Sequence, residues 1–555
     1  MSVSTLPATT LAGRTPPRRT PLWARLTLGV AALIMLPIAA VLAAAIAPAG
    51  EVWLHIWRNS LAELLGTTAA LALLVALMAG SAGAVTAWLV TACEFRGRAF
   101  LQVALLLPLA MPAYVSGYAW TWLMDVAGPV QSSLRGATGW RFGDYWFPEM
   151  RSIYGAALVL AMVLYPYVYL LCRAAFLAQS TCLVEVSRTL GHSLSRCFWR
   201  VALPLARPAL VAGLALVLME TLADFGTVQY FGLRTFTTGI YEAWFGMADR
   251  GAASQLAAAL LLCVGLLLAL EQVSRGGRRF HPMTTRHAPF KPVALSGFKA
   301  TLAALACALP LLLGFVVPAG ALLALMIEAG DPLSPSRFLP FLTHSLMLAA
   351  ITASLAVLIA AWLGWAARLY PSGARRWANR AAGLGYAIPG SVIAVGTLVP
   401  FGIFDNALDA WLRAYLGVSS GLLLSGTVAA LIFAYLVRFL GVALSTVESG
   451  LARLKPSFQM AARSLGCGPG EAVWRVELPL SRGALLTAGI LVFVDTMKEL
   501  PATLIVRPFD FDTLAVRVYN LASDERLAEA STSALLIVLA GLLPVYALTR
   551  AMKRS

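Results

Sequence analysis

Four carboxylates occupy matching places in two otherwise apolar stretches. Glu220 and Asp224 lie in Met219-Glu220-Thr221-Leu222-Ala223-Asp224-Phe225-Gly226. Asp495 and Glu499, with Lys498 beside them, lie in Val494-Asp495-Thr496-Met497-Lys498-Glu499-Leu500-Pro501. Each acid pair is spaced i, i+4, so on one helix both members share a face. A charged group at the centre of a bilayer costs on the order of 3 kcal/mol and by default marks a pathway or a buried partner. Oxygen-rich sets of this kind suit hard cations, and the phenols of Tyr114, Tyr118 and Tyr230 are candidates to extend the set. An oxyanion path would favour arginine and helix N-termini, and neither stretch carries an arginine. Hydrogen bonding between helices, with no further role, is the competing reading of the acids. No nucleophile–base set stands out, and the seven cysteines and five histidines show no metal-site spacing. The chain reads as a non-enzyme.

The elements that must hold these residues follow from composition. Of 555 residues, 59% are hydrophobic and 12% charged, against about 25% charged in a typical soluble domain. Mean hydropathy is +0.78. These values exclude a soluble multidomain protein and a disordered chain alike, and they predict an all-α integral membrane protein. Twelve apolar stretches approach the ~20 residues that cross a bilayer: 22–46, 64–90, 99–124, 153–178, 208–231, 253–273, 299–328, 344–367, 381–404, 421–444, 483–506 and 532–549. Glu220 lies 12 residues beyond Pro208, about 18 Å deep at ~1.5 Å per residue. The net charge of +16 reads as loop anchoring and not as a nucleic-acid surface. Basic residues fall on one side: Arg14, Arg18, Arg19 and Arg25 in the N-terminal segment, Arg96 and Arg98, the linker group Arg275, Arg278, Arg279, Arg286 and Lys291, then Arg368, Arg375, Arg376 and Arg380, and Lys553-Arg554 at the end. Both termini are therefore expected in the cytoplasm, and residues 1–48 are read as carrying a retained signal-anchor, because the apolar run is too long for a cleaved signal peptide.

The chain repeats itself. Residues 188–208 and 463–483 agree at ten of 21 positions at a constant offset of 275, including Arg188/Arg463, Gly191/Gly466, Trp199/Trp474, Arg200/Arg475, Leu203/Leu478, Pro204/Pro479 and Arg207/Arg482. The same offset relates Glu220 to Asp495 and Asp224 to Glu499. Two parallel six-helix repeats follow. The expected organisation is a cytoplasmic segment 1–21, a first repeat 22–273, a basic linker 274–298, a second repeat 299–549 and a tail 550–555. Each repeated segment reads as a short helix, a corner at Gly191 or Gly466 that needs φ > 0, and a second helix stopped by Pro204 or Pro479. Two such corners on one membrane face suit a two-fold soluble partner.

These segments resemble the EAA loop of ABC-importer permeases. At 185–208 the matching residues are Glu185, Gly191, Leu203 and Pro204, and at 460–483 they are Ala461, Ala462, Gly466, Leu478 and Pro479, with Met460 where the motif has its glutamate. The resemblance implies that both loops couple to a pair of cytosolic ATPase subunits. No lysine follows a glycine, so this chain has no Walker A motif, and ATP and Mg belong to those partners. This chain is expected to bind no cofactor.

The stretch METLADFGTVQYFGLRTFTTGIYEAWFGMA at 219–248 is similar to the fused-repeat permease of bacterial ferric iron importers. So are LPLAMPAYVSGYAW at 107–120, AGPVQ at 127–131 and KELPATLIVRPFDFDTLAVRVYNLASDERLAEA at 498–530. The resemblance implies an inner-membrane permease of type I importer plan, a periplasmic ferric iron-binding protein docking on 232–252 and 507–531, and ferric iron passing transiently by Glu220, Asp224, Asp495 and Glu499. A permease for thiamine or another organic cation shares the two-by-six plan and remains the first alternative. An ion-coupled secondary transporter using the same acids is the second.

Overall fold

The computed structural model describes residues 21–46, 48, 50–179, 189, 191–275, 292–328 and 335–554. The basic residues Arg14, Arg18, Arg19, Arg278, Arg279, Arg286 and Lys291, together with Glu185, lie outside the described residues. The first repeat runs through α1 (Leu22–Ile34), α2 (Leu36–Ala44), α3 (Leu61–Ala92), α4 (Ala113–Met124), α5 (Ile153–Ala178), α6 (Leu203–Ala223), α7 (Gly226–Tyr230), α8 (Phe236–Tyr241) and α9 (Arg250–Arg275). The second comprises α10 (Gly297–Leu311), α11 (Val317–Glu328), α12 (Pro335–Leu369), α13 (Gly373–Gly383), α14 (Gly390–Leu416), α15 (Val428–Ala452), α16 (Leu478–Met497), α17 (Pro501–Val506), α18 (Leu514–Ser523) and α19 (Leu527–Arg554). Among the described residues eleven helical segments are long and apolar enough to cross a membrane, and a twelfth counts if Arg98–Ala110 and Ala113–Thr138, bent by 95°, form one span.

The bend corrects the continuous helix expected at 99–124, and Pro112 is its cause, since proline ends a helix and biases the residue before it to extended backbone. Ahead of Pro112 the chain tightens into a 3₁₀ turn at Leu107–Ala110. Leu106 N donates to Val103 O and Leu109 N to Leu106 O, so the carbonyls of Gln102 and Leu105 lose their α-helical donors. Tyr169 Oη donates to Gln102 O at 2.8 Å and Tyr165 Oη to Leu105 O at 3.0 Å. Broken backbone is thus satisfied inside the bundle. The second repeat copies the device: α13, a 3₁₀ turn at Leu384–Ala387, then Pro389 and α14. The continuous span expected at 381–404 is broken there for the same reason.

Leu-Pro in the repeated segments does not stop a helix. Residues 198–202 and 473–477 form π turns that lead without interruption into α6 and α16. Leu203 N donates to Phe198 O and Leu478 N to Val473 O. Proline lacks the N–H for the carbonyl four residues back and crowds it; the wider turn makes room for Pro204 and Pro479. A third π turn, 312–316, precedes Val317-Pro318 in the same way.

The repeats exchange their first spans. α1 and α2 lie against α13 and α14 of the second repeat, while α11 lies against α4 and α19. Trp120 Nε1 donates to Leu313 O at 3.0 Å, and Arg375 Nε donates to Ala24 O at 2.9 Å. Two large apolar clusters, each drawing on both repeats, form the core. Cys93–Glu94 pairs in parallel with Val293–Ala294, pinning the end of the linker to the first repeat. The six cysteines among the described residues are free thiols.

Candidate functional site

Where the repeats meet, a cavity of about 120 Å³ opens between the broken ends of α6 and α16. Glu220, Asp224, Asp495, Lys498 and Glu499 all line it, as does Tyr114. The shared helix face expected of each acid pair holds only for its first member. α6 ends at Ala223 and α16 at Met497, and the chain turns before re-forming as α7 and α17. Asp224 and Glu499 sit in those turns.

Each of these two carboxylates holds the first turn of the short helix after it. Asp224 Oδ1 accepts from Thr227 N at 3.0 Å and Val228 N at 3.1 Å, and Oδ2 from Thr227 Oγ1 at 2.9 Å. Glu499 Oε1 accepts from Ala502 N at 3.0 Å. The freed carbonyls of the same residues are met by threonines of the same chain, Thr237 Oγ1 on Asp224 O at 2.7 Å and Thr503 Oγ1 on Glu499 O at 2.8 Å. Asp495 pairs with Lys498 at 3.0 Å. Glu220 accepts from Tyr386 Oη at 3.2 Å. Among the described residues no three His, Cys, Asp or Glu are grouped to hold a metal ion. The four acids share a cavity but do not form a coordination cage.

Three polar groups of the wall were not read from the sequence: Tyr167, Tyr386 and Arg438. Arg438 lies in the middle of α15, and its Nε stands 3.3 Å from Glu499 Oε2. A lone arginine in an apolar span is itself a functional signal, and attention to the two acid-bearing stretches alone passed over it. Gly390, at the start of α14, admits this pair: a Cβ there would lie 2.5 Å from Glu499 Oε1 and 2.7 Å from Arg438 Nη1. At the repeat offset Arg438 corresponds to Val163 and Lys498 to Ala223, and both apolar mates also line the cavity. Both cationic groups therefore come from the second repeat, and the cavity is asymmetric in charge.

Tyr118 and Tyr230 are not in the wall. They stand beside it, with ring centroids 4.4 Å apart, and Tyr114 continues the row at 5.8 Å from Tyr118. Arg151 covers Tyr230 at 5.1 Å and reaches Glu525 of the other repeat at 3.4 Å. Burial opposes the Arg151 charge, but Tyr230 and Glu525 outweigh it and hold the guanidinium above its ordinary value.

In the repeated segments, Gly191 has φ +80° and Gly466 φ +88°, the left-handed corner expected of both. Around the second corner, helix Pro456–Ser464 buries Ala462 and leaves Ala461 exposed. Phe458, Met460, Leu465 and Trp474 are also exposed, and Trp199 repeats Trp474 on the first copy. Arg368 ties this region to the bundle, donating to Leu451 O at 2.7 Å and Leu454 O at 2.9 Å and pairing with buried Glu477 at 3.3 Å.

A fused pair of membrane repeats, each with a glycine corner and a broken span at a shared buried cavity, defines a membrane permease. The family described as "binding-protein-dependent transport system inner membrane component" matches the chain twice, at residues 79–273 and 356–555. The chain belongs to this family, the permeases of ATP-binding-cassette importers. It is 30% identical over 550 residues to the Fe(3+)-transport system permease protein FbpB 2 of Haemophilus influenzae, covering 96% of this chain and 99% of that protein. Shorter similarities reach the molybdenum transport system permease protein ModB of Escherichia coli, 32% over 26% of this chain and 60% of that protein. The putative 2-aminoethylphosphonate transport system permease protein PhnV of Salmonella typhimurium is 28% identical over 38% of this chain and 74% of its own.

Proposed function

We propose that this chain is the permease of a ferric iron importer, taking iron from a periplasmic binding protein and releasing it to the cytoplasm. The observation that carries this reading is the similarity to an Fe(3+)-transport permease along nearly the whole of both chains, fused repeats included. The carboxylate-bearing cavity supports a cationic cargo. Two ATPase subunits would seat on the segments 185–208 and 460–483, where Met460, Leu465, Trp199 and Trp474 offer apolar side chains to a partner. ATP and Mg stay with those subunits. The binding protein would dock on 232–252 and 507–531, both termini would face the cytoplasm, and no nucleic acid is involved.

Transport follows from alternating access. Closure of the ATPase pair draws the two corners together, and the π turns pass that movement to α6 and α16, whose ends carry the cavity acids. The test is cell-associated iron in a deletion strain and its complemented parent after a ferric pulse, with thiamine uptake measured alongside. Restored iron with unchanged thiamine supports the reading. Restored thiamine with unchanged iron overturns it and leaves the permease architecture standing.

A further inference from the structure

Arg438 is 8% exposed and lines the cavity. Its Nη1 has no hydrogen-bond partner among the described residues, and neither has the hydroxyl of Tyr114, a second wall residue that is almost fully buried. Buried polar hydrogens without acceptors are rare in folded proteins, and each asks what completes it. Both are donors. The groups that satisfy them are acceptors, and a guanidinium is suited above all to the oxygens of carboxylate or phosphate.

The acids of the cavity point the same way. Asp224 and Glu499 are engaged at α7 and α17, and Asp495 is engaged with Lys498. Only Glu220 is held by a single phenol. A bare trivalent ion brings no acceptor atoms to Arg438 and Tyr114, finds no ligand cage, and meets two positive charges in one wall. With all groups ionised, four carboxylates against Arg438 and Lys498 sum to −4 + 2 = −2. A ferric ion with one dianionic oxyanion bound has net charge +1 and carries acceptor oxygens. The cavity, about 120 Å³, is close in size to one of roughly 150 Å³ that takes a benzene-sized guest, enough for a metal ion with a small ligand.

We infer that the cavity accepts its cargo together with an oxyanion, whose oxygens take hydrogen bonds from Arg438 and Tyr114 while the carboxylates balance the metal. The metal in this statement rests on the ferric reading above; the anion rests on the donors alone. The anion's donors come one from each repeat, Tyr114 from α4 and Arg438 from α15, which places it at the seam between them.

The test uses the complete transporter, with its ATPase and binding protein, in liposomes. The binding protein is loaded with 55Fe in carbonate-free buffer, with 32P-phosphate or 14C-citrate as sole anion, and both isotopes are counted inside. The expected result is near one-to-one accumulation of 55Fe with at least one of the anions. Arg438→Met should lower both isotopes more than tenfold, and Arg438→Lys, which keeps the charge without the fork, should lose less. Iron inside with neither anion overturns the inference and leaves the ferric permease intact. Anion inside without iron overturns the ferric reading and supports the donors' assignment. Neither isotope inside, from a transporter whose ATPase still responds to the binding protein, overturns both. The wild-type isotope ratio decides even where Arg438→Met fails to assemble.

Discussion

Arg438 and Glu499 form an ion pair 3.3 Å across at the point where α15 passes the broken end of α16, and both side chains are buried. Glu499 holds the first turn of α17 with its other oxygen. The pair thus fixes a helix break to a continuous span. Removing one partner of a buried pair strands the other charge and typically costs about 3–5 kcal/mol, whereas replacing both with groups of similar shape is often neutral. Glu499→Gln alone should therefore lower the thermal midpoint of the purified permease more than Arg438→Met with Glu499→Gln does. A loss in the double variant equal to the sum of the losses in Glu499→Gln and Arg438→Met would show that the pair contributes nothing beyond its separate parts.

Gly390 sits against that pair with no room for a side chain. The backbone of α14 cannot retreat easily, because Gly396 one turn and a half further on packs on Pro37 O of the exchanged α2. Gly390→Ala should push Glu499 off Ala502 N and cost about 1–3 kcal/mol, the range for overpacking a filled interior. Transport should fall at least tenfold while the variant still co-purifies with its ATPase. Full transport by Gly390→Ala would mean that the Glu499 geometry is not needed for passage.

The membrane class and the repeat were legible because both rest on long-range statistics: apolar stretches near bilayer length, and a constant 275-residue offset. What was not legible was every place where a span breaks. Asp224 and Glu499 look like the second members of i, i+4 pairs, yet they occupy turns, because the carboxylate itself satisfies the new helix start and a threonine thirteen or four residues on satisfies the carbonyl. Pro112 and Pro389 announced two further breaks, and apolarity masked them. Pro204 and Pro479 announced breaks that did not occur, since five-residue backbone bonds absorb the proline. Arg438 was visible as a lone charge in an apolar run, but only folding brings residue 438 beside residue 499.

The π turns give the prolines a testable role. Alanine is favoured over proline by about 3 kcal/mol in a helix interior, so Pro204→Ala with Pro479→Ala should leave the permease as stable as before or more so. The same change allows the π turns to close to ordinary helix, rotating each corner by about 100° against α6 and α16. The expected outcome is an unchanged or raised thermal midpoint with ATP-driven uptake reduced several-fold. A midpoint that falls, or uptake that persists unaltered, would remove the π turn from the coupling route.

The glycine corners separate a backbone effect from a packing effect. A Cβ at Gly191 or Gly466 would touch nothing within 4 Å, so space does not exclude a side chain. The positive φ does, at roughly 1–2 kcal/mol for an L-residue, less for asparagine and more for a branched side chain. Gly191→Val with Gly466→Val should therefore redirect both corners while the membrane bundle, which they do not support, inserts normally. Iron uptake should drop more than tenfold, and the ATPase should no longer respond to the loaded binding protein. Gly191→Asn with Gly466→Asn, able to hold the left-handed backbone, should keep most of the activity. If the valine pair transports normally, the ATPases do not seat on these corners; if the asparagine pair fails as badly as valine, it is the bare surface of glycine, and not its conformation, that the partner requires.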